Sequence, residues 1–283
     1  MAKRRSIRIN NMKHHFIWVV LFLLVSVIWI SILWGKFFDA HSTMVPSDGG
    51  IYTESIIGRI NNLNPLAEDS SSFDQDLQAL MFEGLIRYNP ITAKIEEALA
   101  EFRVGEDGRS YEVIIKDSAK FSDGRRVTVK DVLFTFEEVI QNPHFRNKSL
   151  NQAFEYVTLD VIDEKTVKFV LPEQNVFFLS LLTIPILPHT YFKDALIDEI
   201  TDSSHPFNRK PIGAGPYRLK NIIPEGGGRF RVFLEKNNYY YGSEPHIPQV
   251  VFYLYPDVEK LKADQNESTI ISQLPPTHKE DLT

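Results

Sequence analysis

The side chains able to do chemistry are numerous but dispersed. Eight histidines stand at positions 14, 15, 41, 144, 189, 205, 246 and 278, and only His14 and His15 are neighbours. Metal centres need several ligands converging from short, characteristic spacings, and these histidines do not supply them. The chain has no cysteine, which excludes thiolate metal sites, thiol catalysis and disulfides together. The nucleophile elbow G-x-S-x-G, the H-E-x-x-H helix, the P-loop and G-x-G-x-x-G are all absent. Gly213-Ala214-Gly215 and Gly226-Gly227-Gly228 are too short and wrongly followed to cradle a pyrophosphate. Acidic pairs such as Glu96-Glu97 and Glu137-Glu138 read as solvated faces. No catalytic residue, metal or cofactor is therefore assigned; a paired-carboxylate hydrolase stays open although nothing selects it, and binding is the other chemistry open to the chain. Gly213 and Gly215 suit it, because a residue without Cβ lets backbone approach a ligand or a neighbouring segment closely.

These residues sit in a chain of 283 residues with globular composition, 43% hydrophobic and 24% charged. Charge is split. Residues 1–15 carry Lys3, Arg4, Arg5, Arg8 and Lys13 without an acid, which leaves roughly −11 of the formal net −6 for the remainder. An acidic body is a poor partner for a polyanion, so nucleic acid is excluded. Between the two lies Phe16 to Trp34, nineteen residues without a charge. At helical rise they span about 28 Å, near the thickness of a bilayer core. With Trp18 and Trp34 towards the ends and the basic cluster before it, the run predicts a transmembrane anchor over 16–34, a cytoplasmic segment 1–15 and an exported body. Residues 35–49 read as a linker.

The body alternates strand and helix patterns in irregular order, which points to a mixed α/β architecture. Strands are expected over 50–57, 85–88, 216–222, 230–235 and 250–255, and a helix over 73–82. Hairpins are expected around Glu106-Asp107-Gly108-Arg109, joining 102–104 to 111–115, and around Asp163-Glu164, joining 154–162 to 166–171. The clearest helix is 128–140. There Thr128 and Asp131 form a capping-box-like pair, and Val132, Leu133, Phe136, Val139 and Ile140 share one face. Val258 to Ala263 starts a further helix.

Several segments, in order, resemble the family 5 extracellular solute-binding proteins, the oligopeptide, dipeptide and nickel receptors of ABC importers. Arg59 to Leu66 is similar to the family's opening loop, and Met81-Phe82-Glu83-Gly84-Leu85-Ile86-Arg87-Tyr88 to its FEGL element. Leu99-Ala100-Glu101, Glu106-Asp107-Gly108, Tyr111, Lys120 to Gly124, Val127-Thr128 and Asp131-Val132 resemble its most recognisable stretch. Pro211 to Tyr217 and Asn237 to Tyr241 resemble the later signatures.

The resemblance implies the first lobe of a type II periplasmic-binding-protein-like α/β fold. Residues 50–88 and 211–257 would form the main subdomain, 89–210 an inserted mixed α+β subdomain, and 258–283 the start of a second lobe that this N-terminal portion does not complete. It implies an extracytoplasmic receptor, tethered to the membrane by its N-terminal helix, that hands peptides or similar solutes to an ABC importer permease. Asn61, Asn64, Glu83, Gly84, Leu85, Gly213, Ala214, Gly215 and Tyr217 are the implied ligand-binding residues. An anchored hydrolase, or a sensory or structural ectodomain on the same fold, is the alternative.

Overall fold

The computed structural model describes residues 18–34, 36, 48–193 and 195–264, and the backbone of 270–272. The chain divides into two units, Met1–Ser47 and Asp48–Thr283. In the first, residues 18–34 are helical and almost wholly exposed. Among the described residues no helix is long and apolar enough to cross a membrane, so the anchor expected over 16–34 is not supported. Phe16, Ile17 and most of the expected linker lie outside the described residues.

The body is built on two principal sheets. The first has five strands in the order β11-β1-β10-β9-β8, with β1 Ile51–Ile57, β8 Tyr217–Gly226, β9 Arg229–Lys236, β10 Gln249–Tyr255 and β11 Ile270–Ser272. β8, β9 and β10 form an antiparallel meander, whereas β1 runs parallel to β10 with Ile51 opposite Gln249 and Ile57 opposite Tyr255. That parallel pairing requires the chain to leave the sheet and return, and everything between 58 and 216 lies on the excursion. The second sheet, β4-β5-β7-β6, is antiparallel throughout and comprises β4 Ala100–Val104, β5 Ser110–Ile115, β6 Thr158–Val161 and β7 Thr166–Val170. A short ribbon of β2 Ile86–Asn89 and β3 Lys94–Glu97 precedes it.

Helix α1, Ser72–Met81, follows a capping box. Ser71 Oγ accepts the Asp74 N–H at 3.1 Å, and the Asp74 carboxylate accepts the Ser71 N–H at 2.7 Å. Its apolar stripe Phe73, Leu77 and Met81 is buried, and Phe73 meets Phe252 of β10 edge-on at 5.3 Å between ring centroids.

The helix predicted over 128–140 is α-helical only for Val129–Leu133 (α2) and widens to a π-helix over Phe134–Ile140. Buried Thr135 explains part of this: its hydroxyl donates to the Asp131 carbonyl at 2.7 Å and accepts the Leu187 N–H at 2.9 Å, so a side chain held by an outside segment occupies a carbonyl of the regular ladder. The predicted capping box of Thr128 and Asp131 is present. The Thr128 hydroxyl donates to the Asp131 carboxylate at 2.7 Å, alongside the Thr128 N–H at 2.8 Å.

Of the predicted apolar face, Val132, Phe136, Val139 and Ile140 are fully buried, and Leu133 is half-buried. Phe136 packs on Phe154 and Phe169 at 5.1 and 5.3 Å, and Phe178 joins both of these at 5.9 Å. Phe154, read as the start of a strand, instead ends helix α3, Lys148–Phe154, because its ring belongs to this cluster. Shorter helical turns follow: α4 Phe178–Leu181, α5 Ile197–Ile200, α6 Pro206–Arg209 and α7 Val258–Ala263.

Truncating the centre of the phenylalanine cluster, Phe136→Ala, is expected to destabilise the chain by about 3–5 kcal/mol. Glu137→Ala, on the exposed side, should stay within about 0.5 kcal/mol; urea melts compare the two.

Candidate functional site

Residues 58–71 are held from below by α1. The fully buried Asp74 accepts the backbone N–H groups of Asn61 at 3.1 Å and Asn62 at 3.2 Å in addition to its capping bond. Gln78 Nε2 reaches the carbonyls of Asn62 and Asn64 at 3.1 and 3.0 Å. Asn64 is completely buried, and its amide donates to the Ile200 carbonyl at 2.7 Å and to Asn208 Oδ1 at 3.0 Å. Asn61 is half-buried and donates its amide to the Asp69 carbonyl at 3.3 Å. These two predicted residues therefore belong to a network that ties the opening loop to α5 and α6.

The other predicted residues gather elsewhere. Residues 213–215 lie directly against the end of α1. Gly215 N–H donates to the Met81 carbonyl at 2.9 Å, and a Cβ on Gly213 would fall 2.0 Å from that same oxygen. A Cβ on Gly215 would fall 2.6 Å from the Met81 carbonyl carbon. The glycines thus serve chain-to-chain approach, one of the two uses open to them. The Gly213 carbonyl accepts Ser122 N–H at 2.8 Å, and the Gly215 carbonyl accepts the Asn237 amide at 2.8 Å. Ala214 and Leu85 are buried in the core, and the Tyr217 hydroxyl donates to the Ile247 carbonyl at 3.0 Å. Gly84 bridges to Pro185, where a Cβ would sit 2.5 Å from the Thr183 carbonyl oxygen.

Glu83 is the polar centre of this region. It is half-buried and accepts the Tyr241 hydroxyl at 3.1 Å. Burial pushes its carboxyl above the ordinary 4.5, against the opposing pull of that hydroxyl and of the nearby Arg87. Tyr240 and Tyr241 are themselves held protonated by burial and by the neighbouring Glu83 carboxylate. Arg87 pairs with Glu96 at 3.3 Å, and the Lys116 ammonium stands 5.9 Å above the Tyr241 ring while pairing with Glu97 at 3.2 Å. A groove of about 280 Å³ adjoins, lined by Lys236, Asn237, Asn238, Tyr240, Gly242 and Glu244.

The arrangement offers hydrogen-bond donors and acceptors, aromatic faces and a half-buried carboxylate, the equipment for holding a polar chain. Tyr240, Tyr241, Arg87 and Lys116 were not singled out from the sequence as site residues, although three consecutive tyrosines within Asn237 to Tyr241 were the signal available. Among the described residues no group of three or more histidines and carboxylates could hold a metal ion.

Comparison with known proteins gives the class to which this fold belongs. The chain matches the model for bacterial extracellular solute-binding proteins, family 5 Middle, over residues 94–282, and it belongs to that family. It is 26% identical to the dipeptide-binding protein of Escherichia coli strain K12, over 76% of this chain and 43% of that protein. It is 24% identical to the peptide transport periplasmic protein SapA of Salmonella typhimurium, over 74% of this chain and 40% of the other. Among solved structures, the oligopeptide-binding protein AppA of Bacillus subtilis, in complex with a nonapeptide, aligns with TM-score 0.64 and 25% identity, covering 77% of this chain and 42% of AppA. AgaA, in complex with agropinic acid, shares the fold with TM-score 0.67 at 24% identity, covering 82% of this chain and 45% of AgaA. The chain spans about two fifths of the length of the curated relatives it matches.

Two outcomes follow from this geometry. Gly213→Ala is expected to destabilise by about 1–3 kcal/mol through forced separation of two backbone segments, while Gly58→Ala, whose Cβ would find its nearest neighbour at 3.9 Å, should be nearly neutral in the same melts. A carboxyl with a raised folded pKa favours the fold when protonated, so Glu83's contribution is complete below 4.5 and is lost as pH rises through the higher folded value. Glu83→Gln, which cannot ionise, should therefore lose less stability than the unsubstituted chain between about pH 4 and about pH 8. Parallel melts across that range measure the difference.

Proposed function

We propose that this chain forms part of an extracytoplasmic solute-binding protein that captures peptides or similar solutes and passes them to an ABC importer permease. The observation that carries the reading is membership of family 5, supported by the likeness to AppA holding a nonapeptide. The body is read as facing the extracytoplasmic side, as the family's description implies. Residues 50–88 and 211–257 are read as one subdomain, built on the five-stranded sheet, and 89–210 as a second inserted into it. No step of this function needs a covalent reaction, because capture uses hydrogen bonds and apolar contacts around an extended ligand. The half-buried Glu83 with its tyrosines and cations, and the groove beside Tyr240, supply groups suited to a peptide's amides and charged ends. The predicted residues Asn61, Asn64 and Gly213 to Gly215 act in this reading chiefly as the frame that keeps those groups in register.

Amide NMR titration of the chain with a pool of di- to nonapeptides tests the proposal. A surface that meets its ligand from one side is expected to give saturable shifts at about millimolar concentration, about −4 kcal/mol. No saturable shift with any peptide would contradict peptide capture by these residues.

A further inference from the structure

A hollow of about 560 Å³ opens between the end of α3 and the segment that runs from β7 to α4, within the roughly 300–1,000 Å³ of small-molecule sites. Its apolar lining includes Val157, Leu171 and Phe178, all buried. Tyr156 lines it as well and is 70% exposed. The polar lining comes from Gln152, Glu173, Gln174 and Asn175, so it holds three carboxamides, one carboxylate and no cation.

Both sides of the hollow are fixed from behind. Gln141 Nε2 donates to the Phe154 carbonyl at 2.8 Å and to the Val157 carbonyl. The Tyr111 hydroxyl donates to the Asn175 carbonyl at 3.1 Å, and Leu171 N–H to the Arg109 carbonyl at 2.9 Å. Two of the carboxamides are held in a defined sense. Gln174 Nε2 donates to the Asp107 carbonyl at 2.9 Å, which leaves its Oε1 as an acceptor. Asn175 Oδ1 accepts the Phe177 N–H at 2.9 Å, which leaves its Nδ2 as a donor. Consecutive residues thus offer one acceptor and one donor.

We propose that this hollow binds a neutral pyranose saccharide. Its ligand has to answer an acceptor and a donor side by side. An ammonium only donates and a carboxylate only accepts, whereas each sugar hydroxyl does both. The lining gives an anionic ligand no cation to pair with, and the donor on Asn175 is wasted on a cationic one. Glu173 accepts a hydroxyl proton in a charge-assisted hydrogen bond. One face of a pyranose ring is covered by C–H groups, and the exposed Tyr156 ring is the surface that matches it. The site stands independently of peptide capture and shares none of the residues around Glu83.

Amide NMR titration of the full chain with maltotriose, cellotriose and mannotriose tests the proposal. At least one is expected to shift the amides of Gln152, Tyr156, Gln174 and Asn175 saturably, at about millimolar concentration. Tyr156→Ala should weaken that binding about tenfold through loss of the stacked ring. Asn175→Asp keeps an oxygen for the Phe177 N–H but removes the free donor, and it should weaken binding about tenfold as well. Neither change touches a buried side chain, so both variants should show the same urea melt as the unsubstituted chain. Gluconate, an open-chain anion with similar hydroxyls, should give no saturable shift. No saturable shift with any of the three sugars, or undiminished affinity in either variant, would overturn the site. Equal affinity for gluconate would show that neither ring nor neutrality matters and would overturn it too. Displacement of the sugar by the peptide pool would assign the hollow to peptide amides instead and would overturn the proposal as well.

Discussion

At residues 213–215 the chain lies against the end of α1 with no side chain between the two backbones. Gly215 donates to the Met81 carbonyl, and the space a Cβ on Gly213 would need is already filled by that oxygen. The same three residues also accept Ser122 from the excursion and Asn237 from the meander. One short segment therefore joins α1, the turn before α2 and the residue that follows β9. Backbone contact of this kind tolerates almost no adjustment, because neither partner can move to another rotamer. Loss of it would free the register between the five-stranded sheet and everything inserted between β1 and β8.

Polar groups around this joint are consumed in holding it. Asp74, Gln78, Asn62, Asn64 and Asn208 form a continuous buried network in which each polar group finds partners, as burial demands. Glu83 differs, since burial raises its pKa while a tyrosine hydroxyl and a guanidinium pull the other way. A group held in such opposition, beside aromatic faces and a groove, is a natural place for a polar ligand to act.

Much of this was legible in the sequence, for definite reasons. The stripe of Phe73, Leu77 and Met81 and the turn at Glu106 to Arg109 follow local rules, and they emerged within a residue or two of expectation. The ordered motifs from Arg59 to Tyr241 carried the family. What escaped depended on partners distant in sequence. Glu83 meets Tyr241 across 158 positions, and Asn64 meets Asn208 across 144, separations that no periodicity reports. The π-helix at Phe134–Ile140 arises in part from Thr135 occupying the Asp131 carbonyl while serving Leu187, and Phe154 went to a helix because its ring packs on those of Phe136 and Phe178. The glycines at 213 and 215 were recognised as points of close approach, but only the fold says which segment approaches them.

Native-state hydrogen exchange at the amides of Gly215 and Ser122 tests the central place of this joint most directly. Both protons are bonded across segments that meet only if the whole body is assembled. They should exchange only through global unfolding, with the same free energy as the amides of β9 and β10. Exchange at a distinctly lower free energy, as in a surface loop, would mean that the joint opens on its own and that the body does not depend on it.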